Sequence, residues 1–296
     1  MKRAALFFSI SIASAGLIAC GGGSSDAASV PVGSSAPAPT PAPGSPTPSP
    51  GPPPPPPAGP ASTENPTLTR TTVVSGLQNP WDLAFAPDGT MLYTEKCRGL
   101  SARFANGTTV RLFGTVGSSL VAPDLFCEGQ SGMHGVAVDP DFATGTRYVY
   151  VFMASNLTTN PRTNRVVRLQ LSPDLMSASN RTDIITDIAF KDVGNAVGGS
   201  GAHSGGRVRF GPDRFLYVTS GDNHNATLPQ DLTRLGGKVI RVDRNGTAAP
   251  GNNTPAGGDP RIFTYGHRNV QGITFRPAGQ PNAGQPFTAE HGPNHS

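Results

Sequence analysis

Most of the side chains that could do chemistry fall in four short segments. Glu128-Gly129-Gln130-Ser131-Gly132-Met133-His134-Gly135 is the first, and Gly201-Ala202-His203-Ser204-Gly205-Gly206-Arg207 the second. Ser220-Gly221-Asp222-Asn223 is the third, and Tyr265-Gly266-His267-Arg268-Asn269-Val270-Gln271-Gly272 the fourth. The segments supply imidazoles, carboxylates, amides and guanidinium groups, a set suited to moving a proton. A neutral imidazole is the side chain best matched to proton removal near pH 7, which makes His203 a candidate base. Taken alone, a histidine after a Gly-rich loop is also an ordinary structural residue, and Asp222 after Gly221 is also ordinary turn chemistry. His134, His224, His267 and His291 do not form a metal-binding spacing such as His-Glu-x-x-His, which argues against a zinc hydrolase.

The elements that must position these segments repeat along the chain. Leu83-Ala84-Phe85-Ala86-Pro87-Asp88-Gly89 followed by Met91 to Glu95 reads as strand, Pro-Asp-Gly turn and strand. The pattern recurs as Val136 to Asp141 with Tyr148 to Phe152, and as Val208 to Asp213 with Phe215 to Ser220. A weaker copy is Ile273 to Pro277 with Phe287 to Glu290. Proline fixes φ for a tight turn and Asp or Gly completes it. Val166 to Leu169 and Val239 to Val242 supply further alternating strands between copies. Units of this size with about four strands predict an all-β chain, a β-propeller of four-stranded blades, with a β-sandwich as the alternative. Loops of successive blades converge on a propeller's axis, so the four segments can meet.

With these motifs in order, the chain resembles the soluble glucose, aldose sugar and sorbosone dehydrogenases that use pyrroloquinoline quinone on a six-bladed propeller. The resemblance rests on Asn79-Pro80-Trp81-Asp82-Leu83-Ala84-Phe85, the Gln130 loop, His203-Ser204-Gly205-Gly206-Arg207 and Gly236-Gly237-Lys238-Val239. It continues through Tyr265-Gly266-His267-Arg268-Asn269 and Glu290-His291-Gly292-Pro293-Asn294, covering nearly all of Val73 to Asn294.

The resemblance implies oxidation of an aldose at C1 to the lactone. His203 matches the general base, and the glycines after it would let a flat cofactor approach the backbone. Arg268 matches the arginine beside the reacting quinone oxygen, where it would stabilise developing negative charge. Asn269 would hold the cofactor, and Gln130 and Asp222 match positions that hydrogen-bond the sugar. The carbonyls of Gly292 and Pro293 match ligands of a Ca²⁺ ion, for which oxygen donors are suited. Lys238 reads as structural. A separate acceptor would reoxidise the quinone. The alternative is a non-catalytic propeller lipoprotein that binds a carbohydrate or a protein.

The chain departs from the family pattern at two places. Ala202 stands where a carboxylate can precede the histidine, so the orientation of His203 must come from elsewhere. The family pattern also continues beyond Ser296 for about two more blades, so about four blades and a C-terminally truncated member are expected.

Composition separates the chain into two materials. Sixteen of its 31 prolines lie between Pro31 and Pro66, whereas the 29 glycines after residue 66 are spread throughout. Lys2 and Arg3 precede an apolar run to Ala19 that fits a signal peptide, residues 1–19. Leu17-Ile18-Ala19-Cys20 resembles a lipobox, which implies that Cys20 is lipidated and that the exported protein is anchored to a bacterial membrane, periplasmic or outer-membrane associated; ordinary secretion with an incidental cysteine is the alternative. Residues 20–66 would be an extended Pro/Gly/Ser-rich tether and 67–296 the folded domain. Cys97 and Cys127 are either a disulfide or two buried thiols, and the oxidising compartment favours the disulfide. Without Lys2 and Arg3 the charge is 21 basic against 19 acidic residues, with no basic block, so no nucleic-acid partner is expected. The expected partners are the sugar, the electron acceptor and, through the lipid alone, a membrane.

Overall fold

Strand and turn chemistry organise the chain into four successive sheets in a computed structural model, which describes residues 67–159, 161–192 and 198–292. The leader, Cys20 and the tether lie outside the described residues. The first sheet contains β1 (Pro80–Phe85), β2 (Met91–Glu95), β3 (Gly99–Arg103), β4 (Thr109–Gly114) and β5 (Leu120–Val121). Four of these strands form an antiparallel meander, and β5 pairs parallel to β4. The second sheet is β6 (Met133–Val138), β7 (Tyr148–Ser155), β8 (Thr163–Leu171) and β9 (Ala178–Ala189). The third is β10 (Val208–Phe210), β11 (Leu216–Thr219), β12 (Lys238–Val242) and β13 (Ile262–Tyr265). β14 (Val270–Phe275) pairs with β15 (Pro286–Glu290) as the fourth.

Each of the four repeated motifs opens one sheet. In β1–β2 the turn closes through Ala86 N–H to Thr90 O at 2.9 Å, and Asp88 Oδ1 accepts Thr90 N–H at 2.9 Å. β10–β11 repeats this with Gly211 N–H to Phe215 O at 2.9 Å and Asp213 Oδ1 accepting Phe215 N–H at 3.2 Å. Both turns need one left-handed residue, Gly89 at φ 86° and Arg214 at φ 67°. The proline and aspartate of the motif are therefore turn residues, as their chemistry requires.

Period-two alternation places the core between sheets. In β7, Val149, Val151 and Met153 pack with Leu92, Leu100 and Phe113 of the first sheet, while Tyr150 and Phe152 pack with Val208, Val218 and Ile240 of the third. β12 repeats the division, because Ile240 and Val242 face the second sheet and Val239 packs with Ile273 of β14. A strand buried on both faces needs a near-continuous apolar run, and β7 has one from Tyr148 to Ala154.

One carboxylate joins three of the opening strands. Asp82 in β1 accepts the Val136 N–H of β6 at 3.0 Å and both Arg209 nitrogens of β10 at 2.8 Å, and it also pairs with Arg207. Buried charge requires such full pairing. Cys97 and Cys127 are joined in a disulfide with Cα atoms 5.4 Å apart, linking the β2–β3 turn to the segment before β6. Among the described residues no helix is long and apolar enough to cross a membrane.

Candidate active site

The strand-opening and strand-closing segments of the second, third and fourth sheets meet at one end. The Gly221–Asn269 bridge brings the loop after β11 against the loop before β14, and Asp222 N–H donates to Arg268 O at 2.6 Å. On the other side, Gly221 lies so close to the second segment that a Cβ there would be 2.1 Å from His203 O. Gly205 is similarly confined, since its Cβ would fall 2.6 Å from Ser220 Cα. These glycines are needed for backbone-to-backbone contact.

At the centre, His203 Nδ1 and Asp222 Oδ1 are 2.7 Å apart, with both side chains largely buried. Because the carboxylate can only accept, Nδ1 carries the proton, so that in the neutral imidazole Nε2 presents a lone pair, the form a general base requires. Asp222 Oδ1 also accepts the His224 N–H at 2.9 Å, and Oδ2 makes no bond with the described residues. The carboxylate that Ala202 does not supply thus comes from Asp222. The sequence reading assigned Asp222 to the sugar, but one of its two oxygens is engaged by the base.

His203, Asn223 and His224 have φ values of 52°, 53° and 56°, left-handed conformations that are costly for side-chain-bearing residues and cluster at functional sites. This backbone stacks the His224 ring on His203, with centroids 3.6 Å apart. Burial, with His203 beside it, holds His224 below the ordinary imidazole pKa. The His291 ring meets His203 edge-on at 6.4 Å. Neither His224 nor His291 was assigned from sequence. The clue for His224 was that it directly follows Asp222-Asn223 in the same loop.

Arg268 Nη1 donates to His291 O at 2.7 Å, and its backbone N–H bonds the Glu290 carboxylate, which also meets His267 Nδ1 at 3.0 Å. Asn269 is buried, and its Oδ1 accepts Gly205 N–H at 3.0 Å. Its amide NH₂ makes no bond with the described residues, leaving two donors beside the base. Gln130 is exposed; its N–H donates to Ser200 O at 2.8 Å, anchoring it to the approach to His203. Gly292 is described, whereas Pro293 lies outside the described residues. Among the described residues no three His, Cys, Asp or Glu side chains are placed to hold a metal.

Behind the site, the buried His134 is stacked between Trp81 at 4.8 Å and Phe152 at 5.7 Å. Its Nε2 donates to Gln130 O at 3.0 Å, and burial pushes its pKa down to about 4. A Cβ at Gly206 would lie 2.6 Å from His134 Nδ1. Gly205 and Gly206 therefore make room for the protein itself, Ser220 and His134, rather than for a flat ligand. Lys238 is fully buried and donates to the carbonyls of Leu228, Pro229 and Gly236 at 2.9, 3.0 and 2.6 Å.

Antiparallel sheets of one repeated motif thus carry a carboxylate-oriented histidine beside an Arg-Asn pair. The chain belongs to the Glucose / Sorbosone dehydrogenase family, whose model matches residues 77–296. It is 30% identical over 214 residues to the aldose sugar dehydrogenase YliI of Escherichia coli, covering 68% of this chain and 51% of the relative. To quinoprotein glucose dehydrogenase B of Acinetobacter calcoaceticus it is 27% identical over 256 residues, covering 79% and 50%. The PQQ-bound aldose sugar dehydrogenase of Streptomyces coelicolor superposes with a TM-score of 0.60 at 30% identity, covering 74% of this chain and 58% of that one. The chain spans about half the length of the curated relatives it matches.

Proposed function

We propose that this chain belongs to a quinoprotein that oxidises an aldose at C1 to the lactone. The observation that carries the reading is the His203–Asp222 pair, held at 2.7 Å beside Arg268 and Asn269. His203 Nε2 takes the anomeric hydroxyl proton, and Asp222 fixes the tautomer and stabilises the imidazolium that forms. Arg268 sets a permanent positive charge where negative charge develops. Pyrroloquinoline quinone, when bound, supplies the acceptor for the hydride that leaves C1. The residues present fit that group, because the Asn269 amide and the remaining Arg268 nitrogens are donors without partners among the described residues.

Four further readings go with this function. The four sheets are blades of a six-bladed propeller type, each opening on the strand nearest the axis. Ca²⁺, when bound, would be held by the carbonyls of Gly292 and Pro293. The sugar is hydrogen-bonded by Gln130 and by Asp222 Oδ2. Cys20 anchors the exported protein to a bacterial membrane by lipid, and a separate acceptor reoxidises the cofactor.

Purified protein loaded with the quinone and Ca²⁺ is offered several aldoses while reduction of an artificial dye is followed. Dye reduction in the wild type that is lost in His203→Ala supports the reading. Equal reduction by both proteins would remove His203 as the base, and a protein that neither binds quinone nor reduces dye would be a binding module.

A further inference from the structure

Beside His224 lies a cleft of about 580 Å³. Its wall includes Lys191, Asn223, His224, Asn225 and Arg234, and among the described lining residues Asp192 is the one acid. Asp192 is already paired with Arg162 at 2.5 Å. Asp231, on the same loop as Arg234, is bonded to Thr233 at 3.0 and 2.6 Å and also feels the Arg234 charge, but it is not among the described lining residues of the cleft. Lys191 is only 7% exposed, and its ammonium group makes no hydrogen bond or ion pair with the described residues. Lysine is rarely so enclosed without a counter-charge, and an enclosed cation meets an anion in a medium that screens it poorly. His224 is kept towards neutrality by burial, so it offers a hydrogen bond to the cleft and the positive charge comes from Lys191 and Arg234.

The cleft and the base share His224, whose ring stacks on His203 and which also lines the cleft. A ligand reaching from one to the other would place its reacting end at His203 and its remote end between two cations. We propose that the cleft is the subsite for an anionic substituent of the aldose, a carboxylate or phosphate remote from C1, held by Lys191 and Arg234. The inference rests on the proposed sugar oxidation only for the identity of the reacting end. The anion recognition stands on the cleft itself.

The test measures binding and turnover separately, on the intact chain. Titration calorimetry compares D-glucuronate, D-glucose 6-phosphate and D-glucose without quinone, at low and high salt, for wild type, Lys191→Gln, Lys191→Arg and Arg234→Gln. At least one anionic sugar is expected to bind roughly tenfold tighter than glucose, a difference of about 1.4 kcal/mol. That preference should shrink in Lys191→Gln and Arg234→Gln, weaken in salt, and return in Lys191→Arg, which keeps the charge. The two anions distinguish a carboxylate subsite from a phosphate one. Equal affinities for all three sugars, or a preference unaffected by Lys191→Gln, overturn the proposal even if glucose is oxidised. Lys191-dependent binding of an anionic sugar without dye reduction by the quinone-loaded protein would retain the subsite and overturn the oxidation.

Discussion

His203 Nδ1 is bound at 2.7 Å to the carboxylate of Asp222, nineteen residues later in the chain and on a different loop. The pair exists because Gly221 lets the two backbones touch. Asp222→Asn keeps the size but permits an amide NH₂ to face Nδ1, which would move the imidazole proton to Nε2 and remove the lone pair. A fall in kcat of roughly 10²- to 10⁴-fold with KM little changed is expected, read by steady-state dye reduction. A comparable loss in KM alone would show that Asp222 serves sugar binding rather than the base.

The hairpins were legible because each carries its own turn chemistry. Pro87-Asp88, Pro140-Asp141 and Pro212-Asp213 mark the turns that open three sheets, and alternation in Val166 to Leu169 and Val239 to Val242 marked β8 and β12. β9 escaped notice because bulges opposite Asn164, Val166 and Arg168 break its alternation. The site was legible as a set of segments and not as contacts. His203 and Arg268 stood out by type, but the Asp222 partnership depends on the Gly221–Asn269 bridge, a tertiary pairing that no local spacing encodes. Lys238 read as structural from its strand, yet its buried ammonium group holds three carbonyls of the loop before that strand.

The stacked His134 should make the fold sensitive to acid. Its pKa is about 4 in the fold and about 6.5 when unfolded, so between these values the unfolded chain binds the extra proton. Stability therefore rises with pH across this window and is lost as pH falls through it, by on the order of 3 kcal/mol for this group. Chemical denaturation at pH 7, 5.5 and 4 checks this. His134→Phe keeps a ring between Trp81 and Phe152 and should flatten the dependence, though it lowers stability at pH 7 by losing the bond to Gln130. An unchanged slope would assign the acid sensitivity to other groups.

Closing a loop with 30 residues of separation restricts the unfolded chain, which predicts about 3 to 4 kcal/mol from the Cys97–Cys127 disulfide. Cys97→Ser with Cys127→Ser should lower the thermal midpoint by several degrees. The wild type with reductant should fall to the same value. Free-thiol titration of the native protein should give no reactive thiol from this pair. Two titratable thiols, with no effect of reductant on the midpoint, would contradict the bond.

Lys238 makes a contrasting case, since its removal exposes a need rather than a charge. The ammonium donates to Leu228 O, Pro229 O and Gly236 O, all buried, and the loop so gathered ends at Gly237, whose own N–H bonds Gly221 O at 2.8 Å. Lys238→Met matches the length and leaves three carbonyls without their donor. A loss of roughly 3 kcal/mol is expected by chemical denaturation. Because Gly237 and Gly221 connect that loop to the His203 backbone, the variant should also lose dye reduction at temperatures where it remains folded. Lys238→Arg cannot place a planar fork on three convergent oxygens and should restore little. Full rescue by arginine would mean that charge alone, and not the three-carbonyl geometry, is what the loop requires.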